Sequence, residues 1–276
     1  MLAFSGTINY NKVMIDIELI LNTSARQVKE IEEDEKNFSV PRVSSDIDSA
    51  LPEFARIITG IRRSGKSTLV NQDFLKSGKN AFYLNFDDPA LYGFSAEDFP
   101  LLEEAIERFQ KEYDGSKSVY FDEIQVVEGW EVFVNAQLRK NNLVTVTGSN
   151  ASLLSSELGS RLTGRHLDYE LFPFNFEEFC LLKKCEKNAD SFSDFLTYGG
   201  FPEYLIYNRA EILKRLFEDI LMRDVVVRYG IKDVRSIKLL ASYLASNCGN
   251  LVTGSKTFGS TGAKNDGNNS RISFIF

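Results

Sequence analysis

The chain has 276 residues, 43% of them hydrophobic and 26% charged, with a formal net charge of −7 and a pI near 5.0. That balance is ordinary for a folded domain, and the length allows one large α/β domain with a smaller helical appendage. A single histidine, His166, argues against chemistry built on a histidine pair, and the acidic balance argues against nucleic-acid binding by the whole surface, leaving only a local basic patch open.

Three cysteines, Cys180, Cys185 and Cys248, fit neither a disulfide framework nor a zinc or redox spacing, and read as free thiols. No run approaches the length of a membrane span, and residues 1–13 lack the basic start and apolar stretch of a secretory leader. A cytoplasmic protein with no membrane partner is expected.

In chain order, a short apolar stretch at 14–21 precedes a charged one at 27–36, which reads as an exposed helix ended by Pro41. Residues 1–40 are therefore expected to form an N-terminal arm. From Ala55 onward the pattern alternates: strand 56–59, helix 66–76, strand 81–86, helix 96–111, strand 118–121, helix 130–139, strand 143–147, and a fifth strand near 166–171. Short apolar strands separated by longer helical segments imply parallel pairing with helices on both faces. The expected fold is α/β, a three-layer parallel sheet over 41–173 with its chemistry at the carboxyl ends of the strands.

After Pro173 the strands stop, and helices are expected at 175–184, 191–198, 210–226 and 234–246, giving a small helical domain over 174–253. Residues 254–270 are rich in Gly, Ser and Asn, and the apolar cluster at 272–276 is too short to order them. A disordered or truncated tail is expected over 254–276.

The strongest signal is Gly60-Ile61-Arg62-Arg63-Ser64-Gly65-Lys66-Ser67-Thr68, placed between an apolar strand and a helix. It fits the pattern G-x-x-x-x-G-K-[ST]. The glycines let the backbone curl so that successive N–H groups face phosphate oxygens, and the helix beginning near Lys66 adds its positive dipole end. Lys66 is then expected to meet the β- and γ-phosphates, with the Ser67 hydroxyl on Mg²⁺. Arg62 and Arg63 have two readings, contact with nucleotide or partner and exposure on the loop.

Two strands later, Ser118-Val-Tyr-Phe-Asp122-Glu123 reads as a Walker B strand, with Asp122 as a metal residue and Glu123 as the group that polarises the attacking water. The polar end of Val144-Thr-Val-Thr147-Gly148-Ser149-Asn150 is expected near the γ-phosphate. Ser149 first and Asn150 second are candidate sensors, helix capping being the other reading. Arg161 and Arg165 precede the fifth strand, and Arg165 is the better candidate for stabilising transition-state charge, in cis or on a neighbour, against a plain surface role. Asp87 and Asp88 are either water-mediated metal supports or turn residues before Pro89.

These residues resemble a family of archaeal and bacterial P-loop ATPases related to the AAA+ and STAND groups and largely uncharacterised in function. The likeness runs from about Pro41 to Gly254. Besides the P-loop it rests on Asp122-Glu-Ile-Gln125 with Gly129-Trp130, Thr147-Gly-Ser149, Leu162-Thr-Gly-Arg165, Leu171-Phe-Pro-Phe-Asn-Phe-Glu-Glu-Phe179, Tyr198-Gly-Gly-Phe-Pro-Glu203 and Arg223-Asp224. The resemblance implies an ATP-binding core with an added strand between the two Walker strands and a catalytic glutamate in the place of Glu123. It also implies a winged-helix segment and a nuclease-like domain further on, but the likeness fades after Val252-Thr-Gly-Ser255. A truncated or frameshifted end is therefore expected, which counts against DNA-directed activity of this polypeptide. The expected function is Mg²⁺-dependent ATP hydrolysis, with nucleotide as ligand and a homo-oligomer or protein partner compatible with it. The alternatives are a slow nucleotide-gated signalling module and an inactive truncated product.

Overall fold

The computed structural model describes residues 14–34, 40–42, 51–77, 80–148, 162, 164–227 and 229–247. The expected tail over 254–276, Cys248, Ser149, Asn150 and Arg161 lie outside the described residues. The chain forms two compact units, Met1–Ala210 and Glu211–Phe276.

The first unit is built on five strands, β1 (Ala55–Thr59), β2 (Phe82–Asn85), β3 (Ser118–Asp122), β4 (Leu143–Thr147) and β5 (His166–Glu170), in the order β2-β3-β4-β1-β5. Every neighbouring pair is parallel. The connecting helices are α2 (Lys66–Ser77), α3 (Phe99–Glu112) and α4 (Trp130–Arg139). The register aligns Asn85 with Asp122 and Ile58 with Thr147, so the ends of β2, β3, β4 and β1 share one rim. β4 is the strand added between the two motif-bearing strands, as the resemblance implies.

Successive strand residues face opposite sides of a sheet, and both sides are apolar here. Ile57, Phe82, Leu84, Val119, Phe121, Val144 and Val146 pack with Leu102 and Ile106 of α3 and Trp130, Phe133 and Val134 of α4. The alternate residues Ile58, Tyr83 and Tyr120 pack with Leu69, Val70 and Phe74 of α2. The Phe74 ring meets Tyr83 and Tyr120 edge-on at 5.5 and 5.6 Å, the geometry aromatic quadrupoles favour. A buried polar link adds direction to this apolar grip: Arg56 of β1 pairs with Asp73 of α2 at 2.6 Å and donates to Thr145 Oγ1 of β4. It fixes α2, the helix that follows the loop after β1, against the middle of the sheet.

The N-terminal segment differs from the expected arm. One helix, α1 (Ile17–Asp34), buries Ile20, Thr23, Ser24, Gln27 and Ile31, spaced three and four apart, so only its opposite face is solvated. It packs on β2 and α3. Gln27 explains why: its amide donates to the Asn85 carbonyl at 3.1 Å and accepts from the Asn85 N–H at 2.9 Å. The side chain thus takes both backbone groups at the end of an edge strand, which an open sheet leaves unpaired. The charge run suggested an exposed helix because residues 28–34 bury only Ile31 fully, with Val28 packed partly buried beside it.

The helix expected at 96–111 begins later. Ser95 and Asp98 cap a short 3₁₀ turn, Ala96–Asp98, and α3 starts at Phe99 with Pro100 in its first turn, where a missing N–H costs nothing. Beyond β5 come α5 (Phe176–Lys183), α6 (Ala189–Tyr198) and α7 (Pro202–Tyr207), the last unforeseen from sequence. Reciprocal capping boxes, Asn175 with Glu178 and Asn188 with Ser191, start α5 and α6. Phe174, Phe179, Cys180 and Leu205 form a separate core with Val40. These helices belong to the first unit, so the compact boundary falls at Ala210 and not near Pro173.

The second unit contains most of α8 (Ala210–Asp219), a π-helical run Ile220–Val227, and α9 (Val234–Ser246). The continuous helix expected over 210–226 therefore widens after Asp219. Asp233 caps α9 through the Ser236 N–H at 3.1 Å, and Lys238 pairs with Glu218 at 3.7 Å.

Candidate functional site

The loop leaving β1 is shaped by its glycines. Gly60 has φ 150°, and a Cβ there would meet the Leu171 carbonyl oxygen at 2.2 Å, so no side chain fits between the loop and the segment after β5. Arg63 takes a left-handed conformation, φ 61°, and the Ser64 N–H closes a turn on the Ile61 carbonyl at 3.2 Å. Lys66 opens α2 and is buried, its Nζ donating to the carbonyls of Gly60 at 3.0 Å and Ile61 at 3.2 Å. Ile61, Arg62, Ser67 and Thr68 are half-buried, and Arg63 is exposed.

The end of β3 supplies the carboxylates. Asp122 is fully buried and accepts from Thr147 Oγ1 of β4, Tyr83 OH at 3.2 Å and Asn85 Nδ2 at 3.3 Å. Burial and the Asp122 charge hold the Tyr83 phenol well above its ordinary pKa, so it stays a donor. Glu123 leaves the strand in the left-handed region, φ 54°, at a cost of about 1 kcal/mol or more for a residue with a Cβ. Its N–H donates to Thr147 Oγ1 at 3.0 Å, and Gln125 Nε2 donates to its carboxylate. Burial first and the Asp122 charge second push the Glu123 pKa up; Gln125 and the positive charges of Lys66 and Arg62 oppose them. The rim therefore brings a lysine, a guanidinium and a carboxylate into one electrostatic field.

Two hydroxyls at the loop, Thr59 Oγ1 and Ser64 Oγ, are buried with no hydrogen-bond partner among the described residues. Buried hydroxyls are normally satisfied, and an anion with several oxygens in the loop supplies acceptors. With the glycine curl, Lys66, and an oxygen donor set of Ser67 and Asp122, the residues fit a phosphate chain and a hard divalent cation.

Other expected residues are placed elsewhere. Arg165 is exposed and precedes β5, where its carbonyl accepts from the Ala55 N–H at 3.0 Å. Ala55 is the first residue of β1, and the loop carrying Gly60 and Lys66 follows the last. Five strand residues span roughly 16 Å, so Arg165 lies at the opposite rim, and the cis role is corrected by the parallel topology. Asp88 is also spent elsewhere. Its carboxylate caps a 3₁₀ turn through the Ala90 N–H at 2.9 Å and accepts from Gln27 at 2.8 Å and Arg26 at 2.6 Å. Burial raises its pKa, but these hydrogen bonds together outweigh that and lower it.

Sequence reasoning missed Arg42, Tyr83 and Asn85, and gave Gln125 and Glu203, though they stand in its motifs, no role. Arg42 donates to the Ser64 carbonyl of the loop, and Glu203 forms an ion pair with Arg63. Asn85 had a signal: in a parallel sheet, the last residue of the strand beside Asp122 has to reach the same rim.

Residues 53–180 match a family model described as an AAA domain. The chain is 36% identical over 221 residues to an uncharacterized protein of Haemophilus influenzae, covering 74% of this chain and 54% of that protein. It is 32% identical over 229 residues to an uncharacterized protein of Methanocaldococcus jannaschii, covering 76% and 51%. The chain thus spans about half the length of the curated relatives it matches. Among solved structures, it aligns with the S. cerevisiae Hsp104:casein complex in its extended conformation at a TM-score of 0.39 and 14% identity, over 83% of this chain and 49% of that one. It aligns with C. elegans PCH-2 at 0.32 and 14%, over 91% and 69%.

Proposed function

We propose that this chain, which carries an AAA domain over residues 53–180 on a parallel P-loop sheet, binds ATP with Mg²⁺ and hydrolyses its β–γ phosphoanhydride. The observation that supports this most is the rim itself: Lys66 in the loop after β1, and Asp122 and Glu123 at the end of β3 with β4 between. When bound beside Ser67 and Asp122, Mg²⁺ supplies charge neutralisation of the phosphates. The loop N–H groups and Lys66 hold the phosphate chain. Glu123, kept as a carboxylate, orients and polarises water. Hydrolysis measured with ATP and GTP, with and without Mg²⁺, tests the reading. No turnover with either nucleotide removes it, and nucleotide retained through purification with negligible turnover favours the slow, gated module. One contact speaks for slow turnover: Gln125 already occupies an oxygen of Glu123.

The raised pKa of Glu123 gives a pH prediction. Water activation needs the carboxylate, so kcat/KM falls as pH drops through the free-enzyme pKa, which lies above the ordinary glutamate value of about 4.3. Arg62 lowers that pKa, so Arg62→Gln moves the acid limb to higher pH. A limb unchanged in the variant would detach it from Glu123.

Arg165→Ala is expected to leave ATP affinity within about twofold of the parent, since no contact with the bound phosphates is within its reach. If turnover falls while affinity holds, and mixing with Glu123→Gln protein restores it, Arg165 serves a neighbouring copy. Lost affinity would return it to its own chain's site.

A further inference from the structure

The phosphate loop is held from behind by a residue the expected machinery does not contain. Arg42 lies before the first strand, is 7% exposed, and uses its whole guanidinium. Nη1 donates to the Ser64 carbonyl, Nη2 to the Phe172 carbonyl at 2.8 Å, and Nε to Glu178 Oε1 at 2.8 Å. The Phe174 ring centroid is 5.0 Å from its central carbon. Its own N–H is held by Gln72 Oε1 of α2 at 2.8 Å. The guanidinium therefore joins the phosphate loop, the segment after β5 and α5, and the backbone of the same residue ties them to α2.

The consequence lies in the peptide it grips. The Ser64–Gly65 peptide is trans, and in a planar trans peptide the carbonyl and the following N–H point in opposite directions. With the Ser64 carbonyl fixed toward Arg42, the Gly65 N–H is fixed away from it. Gly65 sits at φ 95°, and a Cβ on it would lie 2.6 Å from Arg42 Nη1, so the loop and the guanidinium are in direct contact. A phosphate loop works through aimed N–H groups, and an unheld glycine-rich loop has to be ordered at the expense of binding.

We infer that Arg42 is a positioning residue for phosphate binding: oriented by Glu178, it pins the Ser64–Gly65 peptide so that the loop is receptive before nucleotide arrives. Glu178 is suited to this. One carboxylate oxygen takes Arg42, and the other accepts from the Asn175 N–H at 2.9 Å in the cap of α5, so its position is fixed from two sides. The planar fork is what the site requires, because three acceptors lie in three directions and an ammonium cannot span them.

The inference rests on the ATP-binding reading, so the parent protein is titrated with MgATP first. Removing one partner of a buried ion pair strands the other charge and can prevent folding. The main variant is therefore Arg42→Met with Glu178→Gln, which is neutral and keeps a capping-box side chain at 178; Arg42→Lys is the second and keeps the charge. Both are expected to bind MgATP about tenfold or more weakly, the equivalent of one charge-assisted hydrogen bond. At saturating ATP, kcat should stay within about threefold, because Asp122 and Glu123 are untouched. The nucleotide-free thermal midpoint of the double variant should stay near the parent's. Parent-like affinity in a folded variant overturns the inference alone, and so does a joint fall in midpoint, kcat and affinity in both variants, which marks Arg42 as merely structural. A parent that binds no ATP overturns the functional reading and this inference with it.

Discussion

Glu123→Gln is expected to bind MgATP as the parent does and to hydrolyse it about 10²–10⁴-fold more slowly, the range for loss of a positioned acid–base group. The amide keeps the shape of the carboxylate and can still occupy the left-handed position after β3. It lacks the negative charge that draws a proton from water. The charge is also why the position is built as it is: burial and Asp122 raise the cost of ionisation, while Lys66 and Arg62 partly offset it. An amide is free of that conflict, so the variant should be no less stable than the parent and can be assayed at the same temperature. Rapid-quench turnover beside equilibrium titration separates the two effects. Parent-like turnover would take Glu123 out of the chemistry and turn attention to Asp122, fully buried and bound by Tyr83, Asn85 and Thr147.

Much of the sheet was legible because parallel strands covered on both faces read as short apolar runs. α4 at Trp130–Arg139, β4 at Leu143–Thr147 and α9 at Val234–Ser246 fall where the pattern puts them. The loop and the two carboxylates were legible for a different reason, since their residue types are fixed by local backbone and charge requirements. What was not legible depends on contacts distant in sequence. Arg42 and Glu178 are 136 positions apart, and Gln27 and Asn85 are 58 apart. Nothing near an isolated arginine or glutamine marks it as the partner of a remote backbone group. Arg165 failed as a cis candidate for a related reason: closeness in sequence to the strands says nothing about which rim a residue occupies, and only the pairing of Ala55 with His166 settles that.

Lys66→Ala is expected to reduce ATP affinity by about 100-fold or more, since it removes the charge that would make charge-assisted hydrogen bonds to phosphate, each contributing about 1.5–3 kcal/mol. In the present arrangement the ammonium rests on the Gly60 and Ile61 carbonyls, at the first turn of the loop it serves. Phosphate oxygens carry full negative charge and carbonyls only a dipole, so the anion is the better acceptor and the lysine is already placed at the loop. Ligand linkage turns this into a thermal measurement. At ATP near 100 times its Kd the parent gains about 2.7 kcal/mol, whereas a variant binding about 100-fold more weakly gains about 0.4 kcal/mol at the same concentration. The nucleotide-dependent rise in melting temperature should therefore almost vanish, whatever the nucleotide-free midpoint loses with the buried side chain. Lys66→Met controls for the buried stem: it restores the packing lost in alanine without restoring charge, and should be as blind to ATP. An ATP-dependent rise in either variant equal to the parent's would mean that the loop N–H groups alone hold the phosphates and that Lys66 serves only to close the turn.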